Sequence, residues 1–146
     1  MTERTVFQSL LPRQVVSLDP KASVYQAACV MTRAQCGSVL IIDANSELIG
    51  ILTERDLMSR VLAEGREPKT TTVTEVMTRN PFCVTPETTV TDAVLIMIER
   101  GFRHLPIVTA RQKIVGVFSI RDAMPREIDA AVGVAEFHEQ INDALG

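Results

Sequence analysis

The feature that most constrains this chain is a phrase that occurs twice. Gly50-Ile51-Leu52-Thr53-Glu54-Arg55-Asp56 returns as Gly116-Val117-Phe118-Ser119-Ile120-Arg121-Asp122, with the glycine, the hydroxyl residue and the aspartate each displaced by 66 positions. The displacement extends well outside the phrase. Pro20 and Pro86, Val24 and Val90, Ala27 and Ala93, Met31 and Met97, Ile41 and Ile107, and Ala44 and Ala110 are identical pairs at the same spacing. A fixed period with no insertion describes a duplicated structural unit. Two copies within 146 residues predict a pseudo-two-fold domain large enough to hold a core without disulfides or metals.

Each copy carries the same succession of signals. Val15 to Leu18 reads as a short strand, punctuated by Asp19-Pro20. Ser23 and Gln26 form a capping-box pattern, opening a helix whose apolar face is Val24, Ala27, Ala28 and Met31. The apolar run Ser38 to Ile42 and the run Leu48 to Leu52, separated by Asp43-Ala44-Asn45-Ser46, predict a hairpin. Thr53 then starts a helix carrying Leu57, Val61 and Leu62, which stops near Gly65 and before Pro68. The second copy restarts at Asn80-Pro81, with a helix face of Val90, Ala93, Val94 and Met97 and a hairpin of Leu105–Val108 and Ile114–Phe118. The fold class is therefore α+β, with two pseudo-symmetric β-α-β-β-α repeats packed as one module.

The expected organisation is repeat 1 over residues 8–64, a linker over 65–72, repeat 2 over 73–126 and a helical tail over 127–146. Ahead of repeat 1, the segment Thr5 to Leu11 predicts a helical turn or two that sets Val6, Phe7, Leu10 and Leu11 on the core, with Pro12 ending it. Thr72-Val73-Thr74-Glu75 predicts a cap on a short helix reaching Met77. In the tail, Val134, Phe137, Ile141 and Leu145 follow helical spacing with Gly133 as an interruption, so one face is expected to pack on this domain or on a second subunit.

Composition narrows the function classes. A formal charge of −3, with aromatics at 4% and no Trp, argues against a nucleic-acid binder, which needs a basic face and stacking rings. Cys29, Cys36 and Cys83 have neither disulfide-framework nor zinc-ligand spacing, which predicts reduced thiols and a cytoplasmic protein. The polar start predicts no signal peptide, and no apolar run reaches membrane-spanning length. No nucleophile–base constellation, metal cluster or P-loop recurs with the repeat, so the chain is not expected to be an enzyme and no required cofactor is implied.

The repeated phrase has two readings from its residues alone. Thr53 and Ser119 sit where a strand gives way to a helix, so first-turn amides beside a hydroxyl are expected to attract anions, while Asp56 and Asp122 can accept hydrogen bonds from the diol of a ribose. Equally, Thr-x-x-Asp and Ser-x-x-Asp are helix caps that need no ligand, and duplication copies caps as readily as sites.

The phrase Gly50–Asp56, together with Arg103-His104-Leu105-Pro106-Ile107-Val108 and with Val73-Thr74-Glu75-Val76-Met77-Thr78 before Asn80-Pro81, resembles the CBS domain, and the pair resembles a stand-alone Bateman module over about residues 10 to 125. The resemblance implies a regulatory sensor that binds adenosine nucleotides, AMP, ADP or ATP, or else S-adenosylmethionine, in clefts between the two repeats. It implies phosphate and ribose contacts from Thr53 and Asp56 in one cleft and from Ser119 and Asp122 in the other. Adenine contacts would come from Val16 and Gly37 on one side and from Phe82 and Phe102 on the other. Where the second copy has Arg103 and His104 the first has Gly37 and Ser38, so cationic phosphate contacts, with Arg121 adding to them, are expected mainly in the second. A homodimer and an effector protein are the expected partners. The alternative is a ligand-independent interaction or dimerisation module.

Overall fold

The computed structural model describes residues 3–10 and 15–145. These fall into two compact units, one made of residues 15–82 and the other of residues 3–10 with 83–145. The chain starts with a single helical turn, α1 (Val6–Ser9), which belongs to the second of these units.

In the unit of residues 15–82, β1 (Ser17–Leu18) leads through α2 (Val24–Ala34) to the hairpin β2 (Ser38–Ile42) and β3 (Leu48–Thr53), and a short edge strand β4 (Thr78–Arg79) completes the order β1-β2-β3-β4. Ser23 and Gln26 close the capping box of α2 as expected, and Val24, Ala27 and Met31 enter a core with Val39, Ile41, Leu52 and Val61. The hairpin turn is held by Asp43, whose Oδ1 accepts from the amides of Asn45 at 2.9 Å and Glu47 at 3.0 Å. Residues 65–72 are tied to α2: the Val24 amide donates to the Thr71 carbonyl and the Tyr25 amide to the Pro68 carbonyl.

In the other unit, α5 (Val90–Arg100) buries Val90, Ala93, Val94 and Met97, the face read from the sequence. The hairpin β5 (His104–Val108) and β6 (Ile114–Ser119) repeats β2–β3 pair for pair. His104↔Ser119 answers Ser38↔Thr53, Ile107↔Gly116 answers Ile41↔Gly50, and the register slips at the same place, between Ile107 and Val108 as between Ile41 and Ile42. Where β1 pairs with β2 in parallel through Leu18↔Ile41, a single parallel bridge Val84↔Ile107 remains. Phe118, fully buried, is the largest side chain of this core, and such burial contributes about 1.5–3 kcal/mol.

The short helices explain the glycines. α1 (Val6–Ser9) and α4 (Val73–Val76) are both closed by capping boxes, Thr5 with Gln8 and Thr72 with Glu75, 67 positions apart. α1 straddles the start of the first repeat yet packs with the second: the Val6 amide donates to the Thr88 carbonyl, as the Val73 amide donates to the Ala22 carbonyl. The residue following each helix lies over a strand glycine. A Cβ on Gly50 would run into the Met77 thioether, and one on Gly116 would stand 3.0 Å from Leu10 Cδ1. A side chain is thus excluded at Gly50 and crowded at Gly116 by the residue that follows a short helix.

Some expectations are corrected. The helix after Thr53 is a single α-turn, α3 (Glu54–Asp56), followed by a π-helical segment Leu57–Leu62 in which the Ala63 amide reaches back to Met58. Val61 is buried but Leu62, placed on the apolar face from the sequence, is 75% exposed. Phe7 likewise faces out, because the single turn sends Val6 and Ser9 inward and, one turn on from Val6, Leu10 to the core. Gly133 does not interrupt the tail: α6 (Pro125–Leu145) runs through it, since one glycine costs a long helix only about 1 kcal/mol. Leu11 and Pro12, expected to finish the first helical segment, lie outside the described residues.

α6 packs on α5: Ala131 is buried in its second turn, and in its fourth turn His138 Nδ1 meets Glu99 Oε1 at 2.8 Å. Val134, Phe137, Ile141 and Leu145 are nonetheless all exposed, Phe137 by 59% and Leu145 by 83%. None of the described helices is long and apolar enough to cross a membrane.

Candidate functional site

The two repeated phrases form two corners, each where a hairpin strand turns into a helical segment. At the first, Thr53 ends β3 and caps α3: its Oγ1 accepts from the Asp56 amide at 3.3 Å, and Asp56 Oδ2 accepts from the Thr53 amide at 3.0 Å. The second is built alike. Asp122 Oδ2 accepts from the Ser119 amide at 2.9 Å, and Ser119 Oγ accepts from the Arg121 amide at 3.3 Å, over a 3-10 turn Ile120–Asp122. Both aspartates therefore are caps, whatever else they do.

Neighbouring residues reach these corners through the sheet register. The Glu54 amide donates to the Gly37 carbonyl at 3.0 Å, and the Ile120 amide donates to the Arg103 carbonyl at 3.1 Å. Gly37 thus sits beside Thr53–Asp56, and Arg103 with His104 beside Ser119–Asp122. Val16 is tied to β2 two residues along from Ser38: its carbonyl accepts from the Leu40 amide at 3.0 Å. Phe82 ends the unit of residues 15–82 and is exposed, while Phe102 is half-buried against the core that contains Phe118.

These bonds narrow the expected source of anion attraction. The first-turn amides of Glu54 and Ile120 are spent on backbone carbonyls, and those of Asp56 and Arg121 on the capping hydroxyls, while the Arg55 amide takes part in none of these bonds. Side-chain charge is the further means of drawing a phosphate. Arg103 and Arg121 are exposed and His104 is half-buried in the second corner, whereas Gly37 and Ser38 occupy the corresponding places in the first.

The cations around the two aspartates also differ. Arg60 Nε lies 3.7 Å from Asp56 Oδ1, and its Nη1 donates to the carbonyls of Val76 at 2.9 Å and Met77 at 3.3 Å. At the second corner Arg4 takes part: its Nη2 donates to the Asp122 carbonyl at 2.8 Å and to Glu127 Oε1 at 2.7 Å, and its Nε to Glu127 Oε2 at 3.2 Å. The forked bond between them holds the Glu127 carboxyl below the usual carboxylate range and raises the Arg4 guanidinium, in both cases against the opposing effect of burial. Neither Arg4 nor Glu127 was singled out from the sequence. Met124-Pro125-Arg126-Glu127 does carry a signal, proline at the first helical position with a glutamate two residues on, and Glu127 Oε1 accepts from the Met124 amide at 2.8 Å.

A model of the CBS domain matches residues 8–63 and again 73–126. An uncharacterized 17.7 kDa protein of Acidianus ambivalens is 36% identical over 118 residues, covering 81% of this chain and 70% of that protein. The Arabidopsis thaliana CBS domain-containing protein CBSCBSPB2 is 38% identical over 106 residues, which is 73% of this chain but only 20% of that protein. Among solved structures, the CBS-domain protein ATU1752 of Agrobacterium tumefaciens is 31% identical at a TM-score of 0.74, covering 86% of this chain and 92% of that one. The CBS domain protein PAE2072 of Pyrobaculum aerophilum, complexed with AMP, is 23% identical at a TM-score of 0.78, covering 90% and 99%.

Proposed function

We propose that this chain, which belongs to the CBS domain family, is a regulatory sensor whose corners bind an adenosine nucleotide, AMP, ADP or ATP, and that it has no catalytic role of its own. The observation that carries this reading is the β5–β6 register, which sets Arg103 and His104 beside Ser119 and Asp122. A guanidinium suits a phosphate because it presents a planar fork of donors, and a carboxylate one helical turn away suits the ribose diol. AMP in the Pyrobaculum aerophilum protein supports the fold's capacity for such a ligand, and the preference for one corner is read from this chain's own residues. Thr53, Asp56, Val16 and Gly37 would serve the first corner, and Ser119, Asp122, Arg103, His104 and Arg121 the second, with Phe82 and Phe102 offering apolar surface to a base. S-adenosylmethionine, a sulfonium cation, is less well matched to the second corner.

Calorimetry with AMP on the wild type, Asp56→Ala and Asp122→Ala tests the reading. Asp122→Ala is expected to weaken binding by about tenfold or more and Asp56→Ala by less, on the scale of a lost charge-assisted hydrogen bond. Equal loss in both would sink the assignment of the second corner as the tighter site.

The capping bonds of Asp56 and Asp122 favour a second reading, a ligand-independent interaction module that uses the exposed stripe of α6. A homodimer is the association we expect of that stripe, and sedimentation at increasing concentration tests it. A thermal-shift panel of AMP, ADP, ATP and S-adenosylmethionine separates the two readings, because a ligand of the native state raises the melting temperature. A flat response to all four would favour the interaction module.

A further inference from the structure

Arg4 lies outside both matched repeats yet reaches the second corner. Its backbone place is that of Thr71 in the other unit: the Val90 amide donates to the Arg4 carbonyl at 2.8 Å as the Val24 amide donates to the Thr71 carbonyl at 2.9 Å. Only the side chains part company. Thr71 Oγ1 turns back to the Glu67 carbonyl at 2.8 Å, whereas Arg4 spans from the Asp122 carbonyl to the Glu127 carboxylate. Asp122 is thereby shared. Its carboxylate belongs to the corner, through the Ser119 amide, and its carbonyl belongs to the clasp that holds the first turn of α6. Glu127 is buried, 6% exposed, so this clasp is a fixed joint and not a surface pairing.

We propose that Arg4 is a positioning residue that couples occupancy of the Ser119–Asp122 corner to the first turn of α6. The proposal rests on the reading of that corner as a nucleotide site. A ligand that engages the Asp122 carboxylate restrains the Asp122 backbone, and the Arg4 clasp carries that restraint to Glu127 and the start of the helix. Coupling of this kind is reciprocal: releasing the clasp must change ligand affinity by the same factor by which the ligand tightens the clasp. Because α6 carries the exposed apolar stripe, occupancy of the corner gains a route to the surface on which a partner would act. Thr71, closed on Glu67, gives the first corner no equivalent route.

The test pairs AMP calorimetry with hydrogen–deuterium exchange of residues 125–131, on the wild type, Arg4→Met and Arg4→Lys. In the wild type AMP is expected to slow exchange over 125–131. In Arg4→Met that response disappears and AMP binds about fivefold more weakly or worse. Arg4→Lys keeps the charge beside Glu127 and loses the fork, so it supplies a folded comparison if Arg4→Met does not fold, and it is expected to show both effects in reduced form. Wild-type affinity with an undiminished exchange response in the folded variant would overturn the coupling, as would a wild type that binds AMP with no change over 125–131. A wild type that gives neither heat nor an exchange change with AMP removes the nucleotide reading itself, and the coupling with it.

Discussion

At the first corner the arginine nearest the aspartate comes from four residues further along the same helical segment, and at the second an arginine comes from 118 positions away. The hairpins that carry the two corners nonetheless agree in every paired residue and in the place of the register slip. Duplication has preserved what backbone hydrogen bonding and apolar burial enforce, since a one-residue slip would turn the buried face of a strand to water. It has left free the charged groups around the corners, which settle on whatever neighbouring element supplies a partner. Arg60 serves Asp56 and the end of α4, while Arg4, Glu127 and the start of α6 serve Asp122.

The largest test of that difference removes the two arginines in turn. Arg4→Met leaves a buried carboxylate without its fork and is expected to cost about 3 kcal/mol. Arg60→Met removes a half-exposed side chain and is expected to cost about 1 kcal/mol. Denaturant unfolding of both proteins measures the gap, and equal losses would mean that the clasp is no stronger than a surface contact. The clasp also predicts a pH dependence. The folded-state pKa of Glu127 is depressed, chiefly by its bond to Arg4, so below the ordinary glutamate value of about 4.3 the unfolded chain binds more protons than the folded one. Its contribution is fully present above that value and is lost as pH falls through the folded pKa. Glu127→Gln should accordingly unfold with a shallower acid dependence than the wild type, and an unchanged slope would contradict the assignment.

A smaller effect separates the two glycines. Gly50→Ala drives a Cβ into the thioether of buried Met77 and is expected to cost about 2 kcal/mol, whereas Gly116→Ala meets only the tip of Leu10 and should cost about 1 kcal/mol or less. Adding Met77→Ala to Gly50→Ala should recover part of the loss as a coupling energy in a double-mutant cycle. Strict additivity would mean that Met77 is not what excludes a side chain at Gly50.

The hairpins, the helices α2 and α5 and their buried faces were legible because period and capping are local and each copy confirms the other. The exchange of α1 into the second unit was not. Thr5 and Thr72 announce equivalent helices, but only long-range bonds, Val6 to Thr88 and Val73 to Ala22, reveal which repeat each one completes. At the corners, Thr53, Asp56, Ser119 and Asp122 were legible as caps. The sequence could not show that the Glu54 and Ile120 amides are consumed by Gly37 and Arg103, because that depends on the preceding strand's register. Arg4 escaped notice for a similar reason: a polar residue near a chain end reads as solvated until the tertiary fold brings a buried carboxylate to it.

The segments that leave the two corners differ in a simpler way, with the smallest expected effect. After Asp56 the chain winds into the π-helical segment Leu57–Leu62, while after Asp122 it begins α6, which passes through Gly133. A Cβ at Gly133 would meet nothing within 4 Å, and the residue sits inside a regular helix. Gly133→Ala should therefore stabilise the protein by about 0.5–1 kcal/mol, because alanine loses less backbone entropy on entering the helix and adds no clash. The rise belongs to α6 alone, so hydrogen exchange should slow in residues 134–145 and remain unchanged over residues 54–62. If stability falls instead, a partner surface approaches the helix at Gly133 closely enough to exclude a methyl group. The exposed stripe of Val134, Phe137, Ile141 and Leu145 would then be covered in solution, with the glycine retained for that contact rather than tolerated within a free helix.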